Sequence, residues 1–418
     1  MILLDALQAV LAYDVIIAIV IGTVSGVIIG GMPGLTATMA VALLIPITFS
    51  FSPLIGLAIM GGVYAGAMYG GSIPAILLST PGTPAAAATA LEGYPLTKQG
   101  KGGLALKVSV VASFIGGTFS VVVLLAIAPI LADFALKFGP PEYFLLALMG
   151  LTGVVSVASG GLTRGIISGL IGLIIALIGT NPMTGMVRYD FGIIDLYEGV
   201  SFMPALIGMF SITQMLALTS EKNITSGDID ITTIKREKMP KGMWPFIGLG
   251  TGTGTVVGII PGEGATIAAF VSYNMAMAKS KIKELFGKGN PEGIAAAEAG
   301  NNACVGGSLV PLLTLGVPGN TVSAALMGGL MIQGLIPGPE LFTTHGVITY
   351  GFILSLFIAN IVFLILGLFF APYFAKISQI PTSILIAAIS VFAIIGSYSM
   401  NNSLFDVWLM LIFAFGGF

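Results

Sequence analysis

Six stretches of this chain run without a charged side chain: Val108–Ala132, Tyr143–Thr163, Gly165–Val187, Gly199–Ser220, Leu341–Ala375 and Ile377–Phe405. Each reaches or exceeds the roughly 20 residues that carry a helix across a hydrocarbon core. Lipid offers the backbone no hydrogen-bonding partner, so a spanning segment must be a helix or part of a closed barrel. The stretches lack the period-2 alternation of barrel strands, and helices are therefore expected. Of 418 residues, 56% are apolar and 8% charged, against about 25% charged in a soluble domain. So few charges cannot clothe a water-facing surface. The expected fold class is an all-α polytopic membrane protein, with the lipid bilayer as its solvent.

Sixteen basic and eighteen acidic residues nearly balance, which gives no electrostatic field for nucleic acid and no polybasic tail. No nucleic-acid partner is expected. The lone Cys304 can form no intrachain disulfide and reads as a small packing residue. The first apolar segment, about Val15–Gly31, follows Asp5 and Asp14 with no Lys or Arg before it. It lacks the basic region of a cleaved signal peptide and is expected to be retained. No zinc-type His pair, Walker loop or nucleophile–base set is present, since the sequence holds a single His. An enzyme is not expected, nor a resident cofactor.

The chain repeats itself. Gly22-Thr23-x-x-Gly26-x3-Gly30-x2-Pro33-Gly34 returns without gaps as Gly250-Thr251-x-x-Gly254-x3-Gly258-x2-Pro261-Gly262. A second motif follows in each half: Gly70-Gly71-Ser72 with Pro81-Gly82, then Gly306-Gly307-Ser308 with Pro318-Gly319, with one inserted residue. This divides the chain into a first transmembrane half (1–220), a polar cytoplasmic linker (221–243) and a second half (244–418). The equivalent loops carry opposite charge patterns. Residues 1–14 have no basic residue, whereas 221–241 hold Lys222, Lys235, Arg236, Lys238 and Lys241. Residues 46–53 are uncharged, whereas Lys279, Lys281, Lys283 and Lys288 crowd the matching loop. After the second motif the bias reverses, with Lys98, Lys101 and Lys107 against a segment 333–345 that carries only Glu340. By the positive-inside rule the halves are inverted-topology repeats. Residues 1–14, 46–53 and 333–345 are expected outside, and 97–107, 221–241 and 279–292 in the cytoplasm.

Proline removes a backbone donor and glycine permits helix-breaking conformations, so each half should contain discontinuous or re-entrant helices at its Pro-Gly pairs. Broken backbone survives in a membrane where protein or a watery cavity satisfies it, which makes paired breaks pointers to a transport site. Scattered glycines such as Gly116 and Gly117 read as packing instead. The expected substrate-binding set is Gly34, Thr36, Gly71, Ser72, Pro81, Gly82, Thr83, Gly262, Gly264, Asn301, Asn302, Gly307, Ser308, Pro318, Gly319 and Asn320. Hydroxyls and freed carbonyls suit a monovalent cation, and helix N-termini suit a carboxylate. The expected ion-binding set is Ser79, Thr80, Glu263, Thr314 and Thr321. Glu263 reads equally as a cation or proton site and as the cap of the next helix. Glu298 is expected near the membrane surface beside Glu292, with a share in the site as the alternative. His345 reads as polar surface.

Four segments together resemble the large membrane subunit of the tripartite tricarboxylate transporter family: residues 22–40, 69–96, 250–270 and 300–320. The resemblance implies a sodium-coupled importer of small carboxylates such as citrate in a bacterial inner membrane. It also implies a small membrane subunit and a periplasmic solute-binding protein that delivers substrate, and a homodimer is a possible arrangement. Alternating access of one bundle against the other is the expected mechanism, with a proton-coupled carrier or a passive anion channel as alternatives. Large subunits of the family usually continue through further spans, whereas the apolar stretch after Asp406 stops at Phe418. A C-terminally truncated sequence is expected.

Overall fold

A computed structural model of the chain describes residues 2–157, 162–181, 183–220, 237–262, 264–377 and 380–417. In chain order the helices are α1 (Ile2–Val10), α2 (Tyr13–Gly30), α3 (Ala37–Thr48), α4 (Pro53–Gly70), α5 (Ser72–Leu78), α6 (Ala87–Lys98) and α7 (Gly102–Ala135). Next come α8 (Pro140–Val157), α9 (Leu162–Ala176), α10 (Phe202–Leu206) and α11 (Thr213–Ser220), the last two joined by a π turn. The remainder are α12 (Trp244–Ile259), α13 (Gly264–Lys279), α14 (Pro291–Leu315), α15 (Thr321–Ile332), α16 (Glu340–Thr343), α17 (Gly346–Ile377), α18 (Thr382–Asn401) and α19 (Leu404–Gly417). Among the described residues, six helical stretches are long and apolar enough to cross a membrane: Tyr13–Gly30, Pro53–Leu78, Gly102–Ala135, Phe202–Thr219, Gly346–Phe374 and Ser383–Asn401. The chain is a multi-pass helical membrane protein.

Of the expected span Tyr143–Thr163, helix α8 covers the part up to Val157 and residues 158–161 lie outside the described residues, while one further charge-free stretch departs from expectation. Helix α9 stops at Ala176, and Gly179–Thr180 then pairs antiparallel with Val187–Arg188. Gly179 and Gly185 both adopt positive φ, at 108° and 68°. Glycine is the residue that accepts such turns without strain, and two of them so close end the helix that apolarity alone suggests.

The chain forms two compact units: Met1–Phe138 with Lys222–Pro381, and Gly139–Glu221 with Thr382–Phe418. Each unit therefore takes one segment from either side of the linker. In the smaller unit α19 packs on the π turn, where Gly208 lies on the Met410 carbonyl and Thr213 donates to Ala414 O at 3.0 Å.

The larger unit is built on glycine stripes. Along α2, a side chain at Gly22, Gly26 or Gly30 would strike the backbone of Ile59, Val63 or Ala67 on α4. Along α12, one at Gly250, Gly254 or Gly258 would strike the backbone of Ala296, Gly300 or Cys304 on α14. A four-residue spacing keeps each stripe on one helix face, and the absent side chains let two backbones touch. Gly116 packs on Ala299 and Gly117 on Asn360, so these glycines do serve packing.

Loop segments of this unit gather in two groups. Gln333 donates to Thr48 O at 2.8 Å, Gly346 lies on Ile2, and Gly351 lies on Leu54 and Val10. Separately, Gln99 donates to Lys288 O at 2.7 Å and Lys107 to Glu237 O at 3.3 Å. Glu92 accepts from Tyr273 Oη at 2.7 Å and from the amides of Gly287, Gly289 and Asn290 at 2.5, 2.8 and 2.7 Å. Of the proposed linker, 221–236 lies outside the described residues.

Candidate functional site

Each of the four repeated Pro-Gly pairs marks a helix break. Helices α2, α5, α12 and α14 end at Gly30, Leu78, Ile259 and Leu315, each within a few residues of its Pro-Gly pair. New helices begin just beyond: α3, the 3-10 turn Pro84–Ala86 that leads into α6, α13, and α15. Gly34 and Gly262 hold φ of 83° and 94°, the left-handed region in which glycine alone is unstrained. The broken ends satisfy one another. The Gly82 amide donates to Gly71 O at 3.0 Å, and the Gly262 amide to Gly319 O at 2.9 Å. Pro81 and Pro318 sit half-buried in the turns.

The four new helices start around one cavity of about 170 Å³, space for a small organic molecule rather than a single water. It is lined by Thr36, Ala37 and Thr38 at the start of α3, and by Thr83, Pro84 and Ala85 ahead of α6. Gly264, Ala265 and Thr266 open α13 on it, and Asn320, Thr321 and Val322 open α15; Gly262 and Met68 complete the wall. Under the motif alignment the triplet 36–38 corresponds to 264–266, and 83–85 to 320–322. The first turn of a helix has amides without intrahelical partners and a positive dipole end, so four such starts favour negative charge between them. Thr36 caps α3 by accepting from Met39 N at 3.1 Å. Asn320 caps α15 in a reciprocal box with Ser323 and donates to Tyr64 Oη at 2.8 Å. Thr38 and Thr321 share a hydroxyl–hydroxyl bond of 2.8 Å. The Thr83 hydroxyl is buried without a protein partner. No described lining residue is charged; Glu263, between two lining glycines, lies outside the described residues.

Of the residues singled out from sequence, Thr36, Thr83, Gly262, Gly264, Asn320 and Thr321 meet in this cavity. The other described ones do not line it. Ser72 bonds Tyr69 O and Ser109 Oγ, both at 2.8 Å. Ser308 bonds Tyr64 Oη at 3.0 Å, beside Gly307, which packs on Thr255 and Gly258. Thr314 donates to Val310 O within its own helix at 2.7 Å. Ser79 is exposed at the left-handed end of α5, and the Thr80 hydroxyl is buried without a partner. Asn301 donates to Met68 O at 3.0 Å, and Asn302 to Glu298 O at 3.3 Å.

One residue differs from expectation. Glu298 is wholly enclosed rather than placed at a surface, because α6 and α7 supply hydroxyl donors: Thr89 to one carboxylate oxygen and Ser113 to the other at 2.9 Å. Glu292 stands apart, accepting from Ser280 at 2.5 Å. Sequence reading missed Thr38, Met68 and Thr266. They are ordinary residues of apolar helices, and nothing local distinguishes them from their neighbours.

The family model for "Tripartite tricarboxylate transporter TctA family" matches residues 16–418. The chain is 37% identical over 401 residues to an uncharacterized 52.8 kDa protein in the TAR-I ttuC′ 3′ region of Agrobacterium vitis, covering 95% of this chain and 80% of that one. It is 40% identical over 159 residues to an uncharacterized protein in the TAR-II ttuC′ 3′ region of the same organism, covering 38% of this chain and 66% of that one. No solved structure matches. A near full-length family match, on a chain whose motif breaks open one cavity inside a multi-pass helical protein, means that the chain belongs to the tripartite tricarboxylate transporter TctA family.

Proposed function

We propose that the chain imports small carboxylates, citrate among them, across the bacterial inner membrane by sodium-coupled alternating access. A periplasmic binding protein delivers the substrate and a small membrane subunit completes the complex. Membership of a tripartite family implies such companions and a transported substrate, and it is not membership of an enzyme family. The observation that carries the reading is the cavity at which four helix starts from both sequence halves converge, with hydroxyls and no described charge on its wall.

Each helix start contributes about 0.3–1 kcal/mol towards an anion, and up to about 2 kcal/mol in partly buried geometry. That suffices to orient a carboxylate but not to neutralise a dianion or trianion. The remaining charge calls for a cation that travels with the substrate. With an inward-negative potential, each net positive charge carried in contributes about 2.3 kcal/mol per 100 mV, so an excess of sodium over substrate charge drives accumulation. The two loop groups support the inverted reading. Segments expected outside touch each other, and segments expected inside touch each other through Gln99, Lys107 and Glu92. Each half then presents its breaks to the cavity from opposite directions.

Uptake of radiolabelled citrate and a panel of other carboxylates tests this, in proteoliposomes holding the chain with its small membrane subunit and supplied with the binding protein. Saturable accumulation that needs a sodium gradient is expected. Thr83→Val and Thr321→Val are expected to raise the half-saturating substrate concentration about tenfold, the effect of one hydrogen bond to a charged group. Uptake indifferent to sodium but driven by a pH gradient would replace sodium by protons. Flux that never runs uphill would leave a passive channel.

A further inference from the structure

The larger unit holds a second polar centre, separate from the cavity wall. Glu298 lies on α14 and is 0% exposed. Thr89 on α6 and Ser113 on α7 each donate to one of its carboxylate oxygens. Ser109 and Ser72, bonded to each other at 2.8 Å, also face it. Among the described residues no Lys, Arg or His pairs with it. The titratable groups on the elements packed around it are Tyr64 and Tyr69 on α4, Glu92, Tyr94 and Lys98 on α6, Lys107 and Asp133 on α7, Tyr273 and Lys279 on α13, and Glu292 and Cys304 on α14; Lys98, over the Tyr94 ring at 4.6 Å, and Lys279 are both exposed at the ends of their helices. Of these, Glu92 is taken up by Tyr273 and the 287–290 amides, and Lys107 by Glu237 O. None supplies a positive charge to Glu298.

A buried carboxylate with no countercharge is costly in any protein, and more so inside a membrane. It is kept neutral by a proton or paired with a bound cation. Three further oxygens stand beside the same stretch of α14 and α4 without a protein partner, all fully or almost fully buried: Asn301 Oδ1, Asn302 Oδ1 and Tyr69 Oη. Carboxylate, hydroxyl and amide oxygens are the donor set of a hard monovalent cation.

We propose that Glu298 is the seat of the coupling cation, a proton or a sodium ion, bound apart from the substrate cavity and linked to it by two short segments. One segment runs from Thr83 and Pro84, on the cavity, to Thr89, on the carboxylate. The other is α4 at Met68, which lines the cavity while its carbonyl holds Asn301; its neighbour Tyr69 is the residue whose buried hydroxyl has no protein partner. Occupancy of Glu298 decides where Thr89 and Met68 sit, and so the shape of the cavity. Substrate and cation thereby favour the same arrangement, as reciprocal linkage requires. The inference deepens the transport reading and rests on it for its role, while cation binding itself can be measured without any substrate.

Infrared difference spectroscopy on the chain assembled with its small membrane subunit in a bilayer provides that test. Sodium steps at fixed pH form one arm, and pH steps without sodium the other. A carboxyl band that responds in one arm, and is missing in Glu298→Gln, is expected and identifies the cation. A Thr89→Val variant keeps the carboxylate and guards against misfolding of the first variant; its half-response concentration should move about tenfold. Spectra of wild type and Glu298→Gln that respond alike in both arms, or gradient-driven accumulation by Glu298→Gln equal to wild type, would overturn the proposal. A carboxyl response lost in Glu298→Gln, in a complex that takes up no carboxylate, would leave the cation site standing and remove the transport reading instead.

Discussion

Asn320 shows how one side chain ties secondary structure to the cavity. Its Oδ1 accepts from Ser323 N at 2.8 Å, its backbone amide donates to Ser323 Oγ at 2.8 Å, and its Nδ2 reaches Tyr64 Oη. Replacing an N-cap by alanine costs about 0.5–2 kcal/mol, so Asn320→Ala is expected to lower the thermal midpoint of the detergent-solubilised protein. Asn320→Ser keeps a capping oxygen and is expected to recover most of that loss, although it cannot reach Tyr64. Equal midpoints for Ala and Ser would separate stability from the cap. Asn320 is legible in the sequence because it follows a Pro-Gly pair and opens an apolar run. Thr38 and Met68 are not: nothing local distinguishes them, and they matter only because α3 and α4 arrive at the same cavity. Glu298 misleads for the same reason, since its donors Thr89 and Ser113 lie far away in the chain.

At the scale of helices, the glycine stripes give a matched comparison within α12. Gly254 meets the Gly300 backbone, whereas Gly252, two residues earlier on the opposite face, has nothing within 4 Å. Gly254→Ala is expected to destabilise by about 1–3 kcal/mol, the usual cost of overpacking a tight contact. Gly252→Ala should be neutral, or stabilising by about 0.5–1 kcal/mol through helix propensity. Thermal unfolding of both variants measures this, and a larger loss at Gly252 would contradict the α12–α14 packing. The stripe was visible as a repeat of glycines four apart. Which helix it packs against was not, because the partners Ala296 and Gly300 carry no signal beyond small size. The span expected at Gly165–Val187 went wrong at this scale as well. Apolarity measures tolerance of lipid, while Gly179 and Gly185 decide whether the backbone stays helical.

At the scale of the molecule, the Glu92 carboxylate joins the first half to the loop ahead of α14 through three backbone amides and a phenol. A charged acceptor bonds each donor with about 1.5–3 kcal/mol, so Glu92→Gln should loosen that loop. Faster amide exchange at Gly287, Gly289 and Asn290 is expected, with little change along α2. Unchanged exchange there would show that the loop is held by other contacts.

Sidedness extends the same reasoning to the whole chain. The two loop groups of the larger unit divide as the Lys distribution divides, and an inverted repeat requires both patterns at once. The proposed inversion puts residues 97–107 and 279–292 on one face, and the bond from Gln99 to Lys288 O supports that reading. The chain's only cysteine, Cys304, is buried, so Cys304→Ala leaves a background for single-cysteine labelling. In intact cells with the outer membrane opened, an impermeant maleimide is expected to label Ser50→Cys and Ile336→Cys. It should reach Lys101→Cys and Lys281→Cys only after lysis. All four positions are exposed in the structure, so accessibility reports side rather than burial. Labelling of Lys101→Cys with Ser50→Cys from one side would break the proposed inversion, and with it the opposed approach of the two halves to the cavity on which the proposed alternating access depends.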